Sequence, residues 1–486
     1  MTELLTTRAI NGTSWRWAAA AHVYAALTAL GLGYFIVGSP LQLSEGLRNM
    51  LTVQRTGFWE LIVSQFGASG FLRPLLYAQI DVAFELARGR YFEVFKAIHV
   101  VQVVLAAVLF VNVLRVRSGS GLLVVPFGIA MLFGSHTFAG TVLEAFPINT
   151  FLTIVVCCLM AANLVDGTPA LWRDIAAVLL FVFAALTVES GLLVWVCVAA
   201  AWLAGFRGVS RSAVAVLTVL LGLYMVVRLG PMGAGSPALV ERSSGYGFRV
   251  LDPPELIARF GDNPIWFYAY NVITQVLSVL FAEPKAGVWV FTHGLVTGEL
   301  MPRDVIAVAS SVGATILIVW YAVSRLPDWR RRVFTTIDRW LFVSLAMIAA
   351  NAVISYPYTK TVIVSPAGVF HALSATLAFG VAMERLGRAR WPQVARLATA
   401  IALAVLSGTW AVRLVGVHYS LREKAFIARN DWTQLVIGRP PADVDVTRYP
   451  EAGRLIEQLR SDAVSRRVVN PAFASPYGWR YFEQNW

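Results

Sequence analysis

Nine ionisable side chains stand in or beside long apolar runs of this chain: Asp81, Glu85, His99, His136, Glu144, Glu189, Arg228, Lys360 and His371. A charge held against lipid costs at least about 2.5 kcal/mol, so such groups are paired or put to use. A carboxylate or imidazole there can take a proton from an attacking hydroxyl. A guanidinium or ammonium suits the oxygens of a phosphate. Each also has a structural reading. Asp81 and Glu85, four residues apart on one helix face, can pair with Arg73 or Arg88. His99 on an apolar helix can be a hydrogen-bonded core histidine, Glu144 and Glu189 can cap helix ends, and Arg228 and Lys360 can snorkel to an interface. The longest polar interruption, residues 38–91, adds Glu45 and Glu60 among Arg48, Arg55 and Arg73.

The elements that must position these groups are membrane spans. The chain is 57% hydrophobic and only 14% charged, with a mean hydropathy of +0.65. So much apolar surface must face lipid. The net charge of +12 does not point to nucleic acid, because Lys and Arg fall in short clusters between apolar runs, where they fix topology. Cys157, Cys158 and Cys197 all lie inside apolar runs and read as small core residues. Arginines before Trp17–Val37 place the N-terminus in the cytoplasm, with an uncleaved first anchor.

Crossings then alternate through 92–114, 121–133, 150–165, 175–188, 192–206, 213–229, 305–323, 341–356, 362–383 and 397–417. That makes about eleven spans in an all-α polytopic membrane domain over residues 1–417, with a long first outer loop of amphipathic helices at 38–91. Residues 265–281 could span by length, but charge parity of the flanking segments assigns them to an interfacial or re-entrant helix. Tyr268, Tyr270, Asn271 and Gln275 then sit at headgroup level. Residues 418–486 form a small extracytoplasmic tail, with an amphipathic helix between Pro450 and Val469. No phosphate loop, dinucleotide fingerprint, HExxH or paired-cysteine pattern is present in the sequence.

The run FLRPLLYAQIDVAFELARGRYFEVFKAIHVVQVVLAAVLF resembles a segment of the multi-spanning C-type glycosyltransferases, the GT-C fold, in the O-mannosyltransferase-like and related bacterial branches. In the same order, SHTFAGTVLEAFPIN resembles their His-Pro…Glu outer loop, with Thr137 where Pro is usual. LTVESGLL resembles their Ser-Lys-Glu-Thr turn and keeps Glu189. YPYTKTVIVSPAGVFHAL resembles a further motif, keeping Pro366 and Gly368 and carrying Lys360 near the usual Arg. The resemblance implies helices around an outer-face cavity and a polyprenyl-phosphate-linked sugar donor. It also implies a glycan, lipid or protein acceptor, a divalent cation (Mg or Mn) in some members, and a bacterial inner-membrane location. A catalytic acid is expected in the first outer loop, yet Leu41 and Gln42 stand where the acidic pair belongs. Either Glu45 or Asp81 acts as the base from a shifted position, or the protein is a non-catalytic relative that binds or moves lipid-linked glycan or supports a partner enzyme. Arg73, Arg228 and Lys360 are expected on the donor phosphate, with His99, His136, Glu144 and Glu189 around the sugar.

Overall fold

The structure is a computed structural model and describes residues 14–38, 57–67, 72–87, 90–135, 137–138, 149–230, 243–245, 251–282, 287–359, 361–388 and 392–427. Glu45, His136, Glu144 and Lys360, together with Leu41, Gln42 and the tail helix expected at 450–469, lie outside the described residues.

Helices follow in the order α1 (Ser14–Gly38), α2 (Phe58–Gly67), α3 (Pro74–Ala87), α4 (Tyr91–Leu114), α5 (Val125–Gly134), α6 (Thr150–Val165), α7 (Leu171–Ala185) and α8 (Leu193–Ala204). They continue as α9 (Arg211–Leu229), α10 (Pro253–Phe260), α11 (Ile265–Leu277), α12 (Gly287–Thr297), α13 (Pro302–Arg330), α14 (Thr336–Ile354), α15 (Ser365–Arg388) and α16 (Gln393–Ile427). Among the described residues there is no strand, and only isolated bridges join Ser243 to Leu251 and Ser244 to Tyr358.

Seven helices, α1, α4, α9 and α13 to α16, are long and apolar enough to cross a membrane; the pair α10–α11, bent by 99°, would make an eighth. The remaining runs read as spans are shorter: α6 has 16 residues and α7 has 15. At 1.5 Å per residue these rise roughly 22–24 Å, short of the roughly 30 Å hydrocarbon core.

Side-chain contacts sort the helix ends into two sets. At one end Arg115 pairs with Asp166 at 2.7 Å, Arg339 Nη1 donates to Gly205 O at 3.0 Å, and Ser210 N donates to the Asp174 carboxylate at 2.8 Å. Arg325 meets Asp338 at 3.0 Å there, and Arg385 donates to Ser324. Several of these arginines close helices by donating to their last carbonyls: Arg173 reaches Leu164 O, and Arg207 reaches Trp202 O, both at 2.7 Å. This fits the preference of cations for helix C-termini.

The opposite end gathers the turns after α7 and α14 and the starts of α6, α13 and α15. Asn351 locks it by donating from Nδ2 to Ile363 O and accepting from Ala367 N, both at 3.1 Å. Between the ends the core is apolar, with Phe127 stacked on Phe379 at 4.3 Å.

Asn271 and Gln275, expected at headgroup level, pack against the turn after α14. Both are fully buried. Asn271 donates to Tyr356 O at 2.9 Å, and Ser355 donates to Gln275 at 2.9 Å. The 99° bend turns α11 inward against α14, where the carbonyls of the Ser355–Tyr356 turn need donors.

Candidate functional site

Arg73, His99, Glu189, Arg228 and His371 have contacts that place them at the end opposite the basic one, unlike Asp81 and Glu85. Arg73 immediately precedes Pro74, and proline suits the first helical position because its missing N–H has no intrahelical partner to lose. The start of α3 is docked by Leu75 N donating to Leu186 O at 3.0 Å, and by Gln79 Nε2 donating to Thr187 Oγ1 at 2.9 Å. That brings Arg73 over the turn between α7 and α8. The turn is tight enough that a Cβ on Gly191 would lie 2.0 Å from Ala184 O.

Arg73 then grips Glu189 as a fork, Nε at 3.1 Å and Nη2 at 2.6 Å from Oε2. The two side chains remain 29% and 25% exposed, so the pair is open on one side. Burial opposes the Arg73 charge, but the Glu189 carboxylate outweighs it and the pKa is raised above its ordinary value. Tyr224 and Arg228, one turn apart on α9, complete the nest. The Tyr224 hydroxyl is within electrostatic reach of Glu189, Arg228 and Arg73. It is only 7% exposed and has no hydrogen-bond partner among the described residues.

Asp81 does not join this nest. Eight residues past Arg73, it lies about 12 Å further along the helix, and Arg73 is engaged by Glu189 instead. Burial first, then the neighbouring Glu85, raise its pKa above the usual 3.8. His99 is buried with Nε2 3.2 Å from Asn149 Nδ2, and Asn149 caps α6 by accepting from Leu152 N at 3.0 Å. Lys96, one turn before His99, is buried too.

The flanks of His136 meet the start of α15. Ser135 Oγ and Thr137 Oγ1 are 2.9 Å apart, and a Cβ on Gly368 would come within 2.1 Å of Thr137 Oγ1. Two of the fragments that carry the resemblance thus touch.

Beside them lies a cluster of His371, which the sequence reading named, and Arg413, which it missed. Arg413 on α16 is 1% exposed. Its Nη1 donates to Ala307 O at 3.0 Å and to Ser310 Oγ and Ser311 Oγ at 2.9 Å each, and its guanidinium stacks over Trp410 at 4.3 Å. His371 is within electrostatic reach of Arg413, and its Nε2 is 3.2 Å from Thr315 Oγ1. The available signal was the single arginine inside the last apolar run, LSGTWAVRLVGVHY. Tyr224 carried no such signal, since a tyrosine is ordinary in an apolar helix.

Thr315 also lines an open groove of about 530 Å³ along α13, walled by Phe281, Ile316, Val319, Trp320 and Val323 and ending at Ser324. Among the described residues no group of three or more His, Cys, Asp or Glu side chains is placed to hold a metal ion. Glu189 is occupied by Arg73. These residues do not fit a divalent cation, and no step below depends on one.

Fold and site together define an all-helical, multi-pass membrane protein with polar clusters at both ends of its helices. Compared with protein-family profiles, curated proteins and solved structures, the chain matches none.

Proposed function

We propose that the protein is a membrane glycosyltransferase that moves a sugar from a polyprenyl-phosphate-linked donor to an envelope glycan, lipid or protein at the outer face of a bacterial inner membrane, through about eleven crossings. The observation that carries this reading is the groove on α13. Its walls are hydrocarbon, and its Thr315 hydrogen-bonds His371 beside the buried Arg413. An isoprenoid chain suits such walls, and a phosphate suits a fixed guanidinium with serine hydroxyls around it.

In this reading the donor phosphate rests near Arg413, with Lys360 as a further cation. Arg73 serves to hold Glu189, because its fork is already filled. A cation there stabilises the lipid phosphate as it leaves and gains charge. Glu45 is the base that takes the proton of the acceptor hydroxyl, with Asp81 the second choice. Burial and the neighbouring Glu85 raise the pKa of Asp81, which makes it a stronger proton acceptor than an ordinary aspartate. His99, His136, Glu144 and Glu189 shape the sugar side.

The test is sugar transfer from a radiolabelled polyprenyl-phosphate sugar by the purified protein. Loss of transfer in Glu45→Gln supports the assignment. Transfer equal to wild type in both Glu45→Gln and Asp81→Asn refutes it. The alternative, a non-catalytic relative, is favoured by Leu41 and Gln42 standing at the acidic positions. Its mark is donor binding without turnover under every cation tried.

A further inference from the structure

We propose that the α13 groove holds one glycerophospholipid with an anionic head, its acyl chain along the apolar walls and its phosphate on the Arg385 guanidinium at the Ser324 end. Groove and membrane setting carry this, whether or not the protein transfers sugar.

The helix α13 is long and apolar enough to cross the membrane, and Ile316, Val319 and Val323 along it are 61%, 53% and 57% exposed. With Phe281 and Trp320 these side chains wall the groove. Its open side therefore faces the hydrocarbon of the bilayer, where lipid is what meets it. From Thr315 to Ser324 the groove follows nine residues of helix, about 14 Å of rise, close to the roughly 15 Å depth of one hydrocarbon leaflet. One acyl chain lying along the walls spans that depth.

The Ser324 end carries the charge. Arg385 on α15 donates from Nη2 to Ser324 Oγ at 3.0 Å, and its guanidinium lies over the Trp320 ring at 4.8 Å. Both partners line the groove and both are neutral. Among the described residues Arg385 has no carboxylate partner, and its remaining N–H groups have no protein acceptor. Arg325, next to Ser324 in the chain, differs in being held by Asp338 and Asp328. Arg330, Arg331 and Arg332 follow at the end of α13, exposed and in no ion pair among the described residues. The exposed Glu384 alone stands against them without a partner, so the excess charge at this end is positive. Phosphate oxygens suit the N–H edge of a guanidinium, and basic residues where a span ends draw anionic heads over zwitterionic ones. The sugar donor of the reading above places its phosphate at the other end, near Arg413. The two lipids share walls and differ in which end holds the head.

The experiment is native mass spectrometry of the full-length protein released from detergent and titrated with three lipids: phosphatidylglycerol, phosphatidylcholine of the same chains, and polyprenyl phosphate. Wild type should take one phosphatidylglycerol about fivefold more tightly than phosphatidylcholine, the effect of one arginine on an anionic head. Arg385→Gln should erase that preference, and Arg385→Lys, which keeps the charge, should retain part of it. Val319→Trp fills the groove from its lipid-facing side and should weaken both phospholipids. Arg211→Gln removes an exposed arginine at the start of α9, away from the groove, and should change neither. Thermal unfolding of each lipid-free variant checks that it is folded.

The proposal is overturned by wild type binding the two phospholipids equally, by Arg385→Gln keeping the preference, or by Val319→Trp binding phosphatidylglycerol as wild type does. Arg211→Gln losing as much as Arg385→Gln also overturns it, since the attraction would then belong to the whole basic end. So does Arg385→Gln weakening polyprenyl phosphate as much as phosphatidylglycerol, which would give this end to the donor. A dimer that Val319→Trp disperses would put a second copy of the chain on the groove and overturn it too. Absence of polyprenyl phosphate binding would instead count against the glycosyltransferase reading and leave the phospholipid result standing.

Discussion

Replacing Gly368 with alanine should destabilise the protein, and removing one hydroxyl elsewhere should reverse the sign of that effect. A Cβ on Gly368 would lie 2.1 Å from Thr137 Oγ1, where ordinary contact begins at 3.4 Å, so Thr137 must give way by about 1.3 Å (3.4 − 2.1). Ser135 Oγ would also be close, at 3.0 Å. Overpacking of this size costs roughly 1–3 kcal/mol. Against it stands a gain of up to about 1 kcal/mol for alanine over glycine in a helix, less here because Gly368 lies in the first turn of α15. The net expectation is a loss of roughly 1–2 kcal/mol, a fall of roughly 2–8 °C in Tm at 2–4 °C per kcal/mol.

In a Thr137→Ala background the oxygen that collides is gone. Gly368→Ala should then be neutral or mildly stabilising, a coupling of at least about 1 kcal/mol between the two positions. Thermal unfolding of the four proteins in one detergent measures the cycle. If Gly368→Ala costs the same with and without Thr137, the loop and helix do not touch as described, and the convergence of these two fragments at one end of the helices is refuted.

Other outcomes follow from the same geometry. Arg73→Gln and Glu189→Gln should each cost about 1–3 kcal/mol, since the pair lies between exposed and buried cases. The double variant should cost little more than either single, and Arg73→Lys should fail to restore the loss because a point donor cannot reproduce the fork. Asn351→Ala should cost about 2–3 kcal/mol by leaving Ile363 O and Ala367 N without their partner. The raised pKa of Asp81 has a definite sign. The folded state binds this proton more tightly than the unfolded chain, so the group's contribution is most favourable below about 3.8 and is lost as pH rises through the raised value. Asp81→Asn should therefore raise Tm at pH 7 and leave it unchanged at pH 3, as pH-dependent unfolding would show.

Much of the scaffold was readable in the sequence because hydrophobic length and arginine position are local properties. The run 150–165 coincides with α6, and the runs at 92–114 and 213–229 match α4 and α9 within a residue or two. The gathering of Arg73, Glu189 and Arg228 was legible for a related reason: alternating crossings return such groups to the same end. What alternation does not encode is which neighbour each helix touches. Arg73 was assigned to a phosphate and Asp81 to Arg73 as one option, yet the fork belongs to Glu189, 116 residues away. Polar residues on an apolar helix do not encode the turn they bond, so the contacts of Asn271 and Gln275 with Ser355 and Tyr356 come only from the fold. Arg413 lies within an apolar run rather than at its end, and the serines that hold it stand on another helix. The short helix α12 escaped notice for lack of length.

The arginines that close the carbonyls of α6, α8 and the α8–α9 connection tie charge placement to helix length. Their guanidiniums stand beside the carbonyls at Leu164, Trp202 and Gly205, where a helix runs out of donors of its own. A residue that bounds an apolar run is thus also the clasp of a last turn, and moving such a charge would fray the helix it leaves behind.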